Sequence, residues 1–230
     1  MALASAASTT PCLAVFDLDG TLTWRDTLLP YLAGFAWRHP TRMLGLWRLP
    51  LSLVGYACGH RDRGRLKAAL IRTVMGDESR ATVDAWSAAF VEDLERRGSF
   101  RPAGLARLDA HRAAGDHLVL LSASPDLYVP RIGRLLRMER TVCTEIKWQA
   151  AGGGDRLVGD LVTPNRRGEE KSRCLERLRE EFPGLSVTAY GNSSSDLPHL
   201  TQANCGWLVN GDANTRRAAS EAGLVVAEWH

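Results

Sequence analysis

The chain has 230 residues, 45% of them hydrophobic, which suits one globular domain or a domain carrying a sizeable insertion. Its formal net charge of +3 gives no overall pull toward nucleic acid. The longest uncharged apolar run, residues 49–59, is too short to span a bilayer as a helix.

Residues 1–10 lack a basic n-region and a long apolar h-region, so they read as a frayed tail and not a signal peptide. Cys12–Phe16 is a short apolar run followed by turn residues, which predicts a buried strand. Residues 25–100 then read as consecutive helices over 27–37, 41–57, 63–75 and 80–97, with Pro50 interrupting the second. A helix over 102–114 follows, with Leu105 and Leu108 on its apolar face and Gly115 closing it. Next come a strand at 117–121 and a helix at 126–138. Residues 144–164 form two strand-like arms around Gly152-Gly153-Gly154, a hairpin pattern. A helix at 169–182 ends at Pro183-Gly184, and strands are expected at 186–190, 205–209 and 224–227.

Strands alternating with helices predict an α/β fold, a Rossmann-like parallel sheet covered on both faces, with its crevice at the carboxyl ends of the strands. Residues 11–24 and 101–230 make this core, and 25–100 are a helical cap inserted between its first two strands. Five cysteines (Cys12, Cys58, Cys143, Cys174, Cys205) are scattered, odd in number and without C-x-x-C spacing. They read as free thiols in a reducing cytoplasm, not as a disulfide framework or a zinc site.

The first strand runs into the segment DLDGTLT. Asp17 and Asp19 are thereby delivered to the carboxyl edge of the sheet, and Gly20 lets the chain turn. Neighbouring carboxylates repel, so one is protonated or both share a cation. That suits attack on an electrophile, metal binding and proton transfer; it also describes a polar turn after a strand. Three further stretches bear on the choice. Ser122 follows the apolar strand VLL, Lys171 lies near the start of a helix in RRGEEKSRC, and Asn192 and Asp196 follow a third strand in AYGNSSSD.

In this order the four motifs resemble the haloacid dehalogenase superfamily of phosphohydrolases, subfamily IB. The likeness is greatest to the phosphoserine phosphatase-like branch and extends to phosphatidylglycerophosphatase and histidinol-phosphate phosphatase types. The resemblance covers residues 13–211. It implies that Asp17 is a nucleophile forming an aspartyl-phosphate, and that Asp19 protonates the leaving oxygen and then activates water. It further implies that Ser122 hydrogen-bonds a phosphoryl oxygen and that Lys171 balances charge. Mg²⁺ would be held by Asp17, the Asp19 backbone carbonyl and Asp196, and an amide oxygen on Asn192 can also serve. The family motif usually begins Gly-Asp where this chain has Gly191-Asn192. With Asn there, the charges around a bound substrate sum to about −1 instead of about −2, which implies weaker metal affinity and less repulsion of phosphate.

The cap is expected to close the site and select the leaving group. Asp26 lies seven residues after Asp19, where phosphoserine phosphatases place a Glu that engages the substrate amine; Asp26-Thr27 reads equally well as a helix N-cap. Residues 25–76 hold nine Lys/Arg against Asp26 and Asp62, a surplus of +7 in a chain whose total is +3. These are interleaved with Trp37, Trp47, Tyr56 and many leucines. Either the apolar residues pack the cap's own core, or the segment makes peripheral contact with an anionic membrane. The expected function is therefore a Mg²⁺-dependent phosphomonoesterase acting on a small phosphorylated metabolite, such as a phosphorylated amino acid or amino alcohol. The alternatives are a phospholipid phosphatase at the membrane surface and a phosphate-binding protein without turnover. No nucleic-acid partner is expected.

Overall fold

The computed structural model describes residues 10–43 and 63–230. Its centre is strand β1 (Cys12–Phe16), whose residues 13–16 are fully buried. A strand buried on both faces needs apolar side chains at every position, which is why this run shows no polar alternation. Ala14 and Phe16 face one core with Leu118, Leu120 and Tyr190; Leu13 and Val15 face another with Val119, Leu121, Val187 and Ala189.

Around β1 lie β2 (His117–Pro125), β3 (Arg140–Thr144), β6 (Ser186–Gly191), β7 (Cys205–Val209) and β8 (Val225–Ala227). They form a six-stranded sheet in the order β3-β2-β1-β6-β7-β8, parallel throughout. Val15 pairs with Val119 on one side and Ala189 on the other. Because the chain goes from β1 to β2 on one side and later returns to β6 on the other, the order reverses at β1. A crevice opens there, beyond the carboxyl ends of the strands.

Between β1 and β2 the described chain is helical: α1 (Leu28–Arg38), α2 (Pro40–Met43), α3 (Arg63–Met75), α4 (Arg80–Arg96) and α5 (Pro102–Ala113). Later helices are α6 (Val129–Leu135), α7 (Glu169–Glu181), α8 (Leu197–Gln202) and α9 (Ala213–Glu221). The α1 residues Tyr31, Leu32 and Phe35 are buried, and the Tyr31 ring meets Phe90 of α4 edge-on and Tyr128 at a tilt. Those apolar side chains pack the inserted helices together and onto the sheet's side of the molecule. Leu29 and Trp37, 60% and 80% exposed, do not. The remainder of the expected helix over 41–57, the aromatic–basic stretch it contains and residues 1–9 fall outside the described residues.

β4 (Ile146–Gln149) and β5 (Arg156–Leu161) form the antiparallel hairpin, separate from the main sheet. It lies against α3. Gly159, at φ +87°, lets β5 approach so closely that a Cβ there would stand 2.9 Å from the Arg72 amide nitrogen. The expected helix over 126–138 is shorter, Val129–Leu135, and the chain beyond it forms β3, an edge strand beginning at exposed Arg140. Among the described residues no helix is long and apolar enough to cross a membrane, and Cys12, Cys143, Cys174 and Cys205 are free thiols.

Candidate active site

β1 ends by donating the Asp17 amide to the Tyr190 carbonyl of β6, 3.0 Å away, so the Asp17 side chain stands at the switch point. The chain then winds tightly through residues 18–22. Gly20 is needed there twice over. Its φ is +79°, and a Cβ would lie 2.1 Å from the side-chain nitrogen Nδ2 of Asn192.

Lys171, in the first turn of α7 and buried, joins two strand ends. Its Nζ lies 2.6 Å from Asp17 Oδ1 and 2.6 Å from Asp196 Oδ1. The second oxygen of Asp17 accepts from the Thr21 hydroxyl at 3.0 Å. The second oxygen of Asp196 accepts from the Asn192 amide at 3.2 Å, the Ser193 amide at 3.0 Å and the Ser193 hydroxyl at 2.7 Å. Asp196 therefore does not cap α8 with its side chain, although it precedes that helix. Burial opposes the charge on Lys171, but Asp17 and Asp196 outweigh it and raise its pKa. Burial likewise opposes the charge on Asp196, yet Lys171 holds it well below the carboxylate range. For Asp17 burial prevails: the pKa is pushed up to about 7, with the Asp196 charge adding to the rise and Lys171 working against it.

Asp19 sits apart from this trio. Its Oδ1 accepts from the Thr27 amide at 2.8 Å and the Thr27 hydroxyl at 2.6 Å, and its Oδ2 accepts from the Ser124 hydroxyl at 2.6 Å. Burial first, and the Asp26 charge second, raise its pKa. The two motif carboxylates thus occupy different environments, one beside an ammonium and one among hydroxyls. Separate environments of that kind give two like groups different chemical roles.

Ser122 lies within β2, fully buried, and its oxygen accepts the Ser124 amide proton at 3.0 Å. It caps no helix, since α6 begins at Val129. Its own hydroxyl proton has no acceptor among the described residues. Asp26 Oδ1 accepts from the Leu28 amide at 2.9 Å, which satisfies the start of α1, and the residue also borders the cleft.

A cleft of about 650 Å³ opens over these groups; its described lining includes Asp17, Asp19, Asp26, Lys171, Asn192 and Asp196, while fully buried Ser122 lies behind Ala123 and Ser124 and is not part of it. Among the lining residues not proposed from the sequence as site residues are Ser124, Asn165, Arg167 and Lys67. Lys67 is the most informative. It is 9% exposed, and its Nζ reaches from α3 to the Ala123 carbonyl of β2 and to Asn165 Oδ1, the latter at 2.6 Å. Burial lowers its pKa to about 8, against the pull of Asp19 and Asp26. A signal was present, because Lys67 falls on the buried stripe of α3 with Gly64, Ala68, Ile71 and Met75. A charged residue in such a stripe is placed there to meet a partner or a ligand.

Residues 14–201 match the family model described as haloacid dehalogenase-like hydrolase. Protein CicA of Caulobacter vibrioides is 35% identical over 197 residues, which is 84% of each chain. A Bordetella pertussis protein of unknown function has a similar structure, with a TM-score of 0.78, 22% identity, and coverage of 95% of this chain and 99% of that one. A phosphoserine phosphatase solved as an analogue of its phospho-aspartyl intermediate has a TM-score of 0.64 and 14% identity, covering 96% of this chain and 94% of its own. The two structural likenesses speak for the fold.

Proposed function

This chain belongs to the haloacid dehalogenase-like hydrolase family, and on that premise we propose that it is a Mg²⁺-dependent phosphomonoesterase working through an aspartyl-phosphate on Asp17. One observation carries the reading. Lys171 lies within 2.6 Å of both Asp17 and Asp196, while Asp19 is held separately by hydroxyl groups. A nucleophile beside a cation, and a second carboxyl group held apart from it to exchange a proton, are the two things ester cleavage needs.

In the first step a bond forms between an Asp17 oxygen and phosphorus. The bond to the leaving oxygen breaks, and the Asp19 proton passes to that oxygen. In the second step Asp19 takes a proton from water as the water oxygen displaces Asp17, which releases inorganic phosphate. The Ser124 hydroxyl can turn between donating to charged Asp19 and accepting from its protonated form. Ser122 offers its unclaimed hydroxyl proton to a phosphoryl oxygen, and Lys171 offsets the negative charge gathered on Asp17 and the phosphoryl group.

The donor set suits a hard divalent ion. Asp17, Asp196, the Asn192 side-chain amide and the Asp19 backbone carbonyl supply oxygen only, with two negative charges offset by one ammonium. When bound, Mg²⁺ neutralises the approach of a dianionic ester to a carboxylate. Replacing the Asn192 amide by a third carboxylate should tighten the ion and repel the ester. In Asn192→Asp, the Mg²⁺ concentration for half-maximal activity is expected to fall about tenfold while KM for the ester rises. An unchanged Mg²⁺ titration removes Asn192 from the ion's surroundings.

The preferred substrate is a small phosphorylated metabolite, which fits a cleft bordered by Asp26, Lys67 and Arg167. Among the described residues Lys67 hydrogen-bonds two neutral oxygens, with the Asp19 and Asp26 charges near but not in contact, so its charge can meet the ester. Lys67→Met is expected to raise KM about tenfold with kcat changed less than threefold, the loss of one charge-assisted hydrogen bond. Steady-state kinetics decide it; an unaltered KM would make Lys67 a structural tie between α3 and β2 only. The phospholipid alternative draws on exposed Leu29 and Trp37 along α1. A panel of phosphorylated metabolites and short-chain phosphatidates, assayed with Mg²⁺ and with chelator, separates the two substrate classes. No release of phosphate from any member, including an aryl phosphate, leaves phosphate binding without turnover.

A further inference from the structure

At the opposite end of β1 from the cleft, three side chains converge from separate segments. Cys12 opens β1, His111 lies in the last turn of α5, and Asp116 immediately precedes β2. Cys12 Sγ is 3.9 Å from His111 Nδ1, and His111 Nδ1 is 2.6 Å from Asp116 Oδ2; the three donor atoms all lie within 4.8 Å of one another. We propose that Cys12 Sγ, His111 Nδ1 and an Asp116 carboxylate oxygen form a binding site for a transition-metal ion of the zinc class.

Zn–S bonds of about 2.3 Å and Zn–N bonds of about 2.0–2.1 Å put tetrahedral sulfur and nitrogen donors about 3.6 Å apart. The sulfur–nitrogen pair is already near that separation. The nitrogen–oxygen pair, now 2.6 Å apart, must open by about 0.8 Å, and the sulfur–oxygen pair, within 4.8 Å, need change by no more than about 1.2 Å, within the reach of side-chain rotation. One sulfur, one nitrogen and one oxygen donor select zinc or cobalt over magnesium. The supports around the ligands are also in place. His111 Nε2 meets the Tyr190 hydroxyl at 2.8 Å, and Asp116 Oδ1 accepts the Cys12 amide at 2.7 Å. The side chains of His111 and Asp116 are 12% and 10% exposed, so an ion can enter and a water can complete its shell.

Proton balance follows from these partners. Without an ion, Nδ1–H donates to Asp116 and Nε2 accepts from Tyr190. With an ion, the ring proton moves to Nε2, the Tyr190 hydroxyl turns to accept it, and the Cys12 thiol releases one proton to solvent. Burial and Asp116 push that thiol up to about 11, so without an ion it stays protonated and is no nucleophile. An Asp–His–Tyr network by itself would account for two of the three residues and leave the Cys12 sulfur with the Thr188 hydroxyl at 3.9 Å, so the test turns on sulfur.

Co²⁺ titrated into Mg²⁺-saturated protein should produce a thiolate-to-cobalt charge-transfer absorption that saturates at one equivalent. Zn²⁺ should bleach it and further Mg²⁺ should not. Cys12→Ser should abolish the band, His111→Gln should weaken Co²⁺ at least tenfold, and Cys205→Ser should leave the band intact. No band in folded wild-type protein, or a band that survives Cys12→Ser, overturns the site. Zn²⁺ titrated into weakly buffered wild-type protein should release about one proton per bound ion from the Cys12 thiol, read with a pH indicator; no proton release also overturns the site. Neither measurement depends on turnover, so failure here and failure of the phosphatase reading are told apart.

Discussion

Asp17→Asn is expected to lower kcat by at least about 10⁴ without weakening the fold. The amide cannot take up a phosphoryl group, and removal of a nucleophile that acts together with an acid and a cation removes most of their joint effect. Stability should move the other way. Burial pushes the Asp17 carboxyl up to about 7, so the folded protein at neutral pH holds a charge its surroundings disfavour. The Asn side chain keeps an oxygen for Lys171 and removes that charge. Metal-free Asp17→Asn should therefore unfold at a temperature equal to or above wild type, a trade of stability against activity at a functional position. Mg²⁺ should stabilise the variant less than wild type, because one of its anionic donors is gone. Phosphate release from an aryl phosphate and thermal unfolding with and without Mg²⁺ check the three statements together. Turnover within tenfold of wild type would remove Asp17 as the nucleophile.

The sequence disclosed what local pattern can encode. The apolar run before DLDG ends where β1 ends, and the strands expected at 117–121 and 186–190 were legible from pattern, although β2 runs on through Ser122 to Pro125 and β6 to Gly191. The observed strands Cys12–Phe16 and Cys205–Val209 have the expected bounds, and α3 spans the expected 63–75. What stayed hidden was contact between segments. That Lys171 bridges Asp17 and Asp196 depends on how α7 packs under two strand ends 154 and 25 residues away in sequence. Ser124 looked no different from Ser122, yet the local chain path gives Ser124, not Ser122, to Asp19. Cys12, without a nearby cysteine or histidine in sequence, read as an isolated thiol. Its neighbours His111 and Asp116 arrive only when β1 and β2 pair, with Leu13 opposite His117. β3 was missed because an edge strand that starts Arg-Thr lacks a continuous apolar run.

Lys171→Met should produce the largest loss of stability of any single change in the cleft. Wild-type Lys171 stands between two carboxylates that are themselves almost fully buried. Removing the ammonium leaves both anions facing each other with no cation in contact, and breaking a buried ionic group in this way costs about 3–5 kcal/mol. The loss depends on pH, with a sign that identifies its cause. In wild type the pKa of Asp196 is depressed, so its contribution is present above the ordinary carboxylate pKa and is lost only as pH falls well below it. In the variant both carboxylates are raised, so the folded state gains a proton near neutrality and its stability falls as pH rises. The gap between the two proteins is therefore widest at pH 7–8 and narrows toward pH 5. Mg²⁺ should restore more stability to Lys171→Met than to wild type, since a divalent ion replaces the missing charge, whereas kcat should remain lower by about 10²–10³ for want of charge stabilisation at the phosphoryl group. Lys171→Arg keeps the charge but not the fit, and should recover most of the stability and little of the rate. Urea unfolding at pH 5 and pH 7.5, with and without Mg²⁺, measures the effect. Equal stabilities of wild type and Lys171→Met at pH 7.5 in chelator would mean that the two carboxylates are not held charged by this lysine.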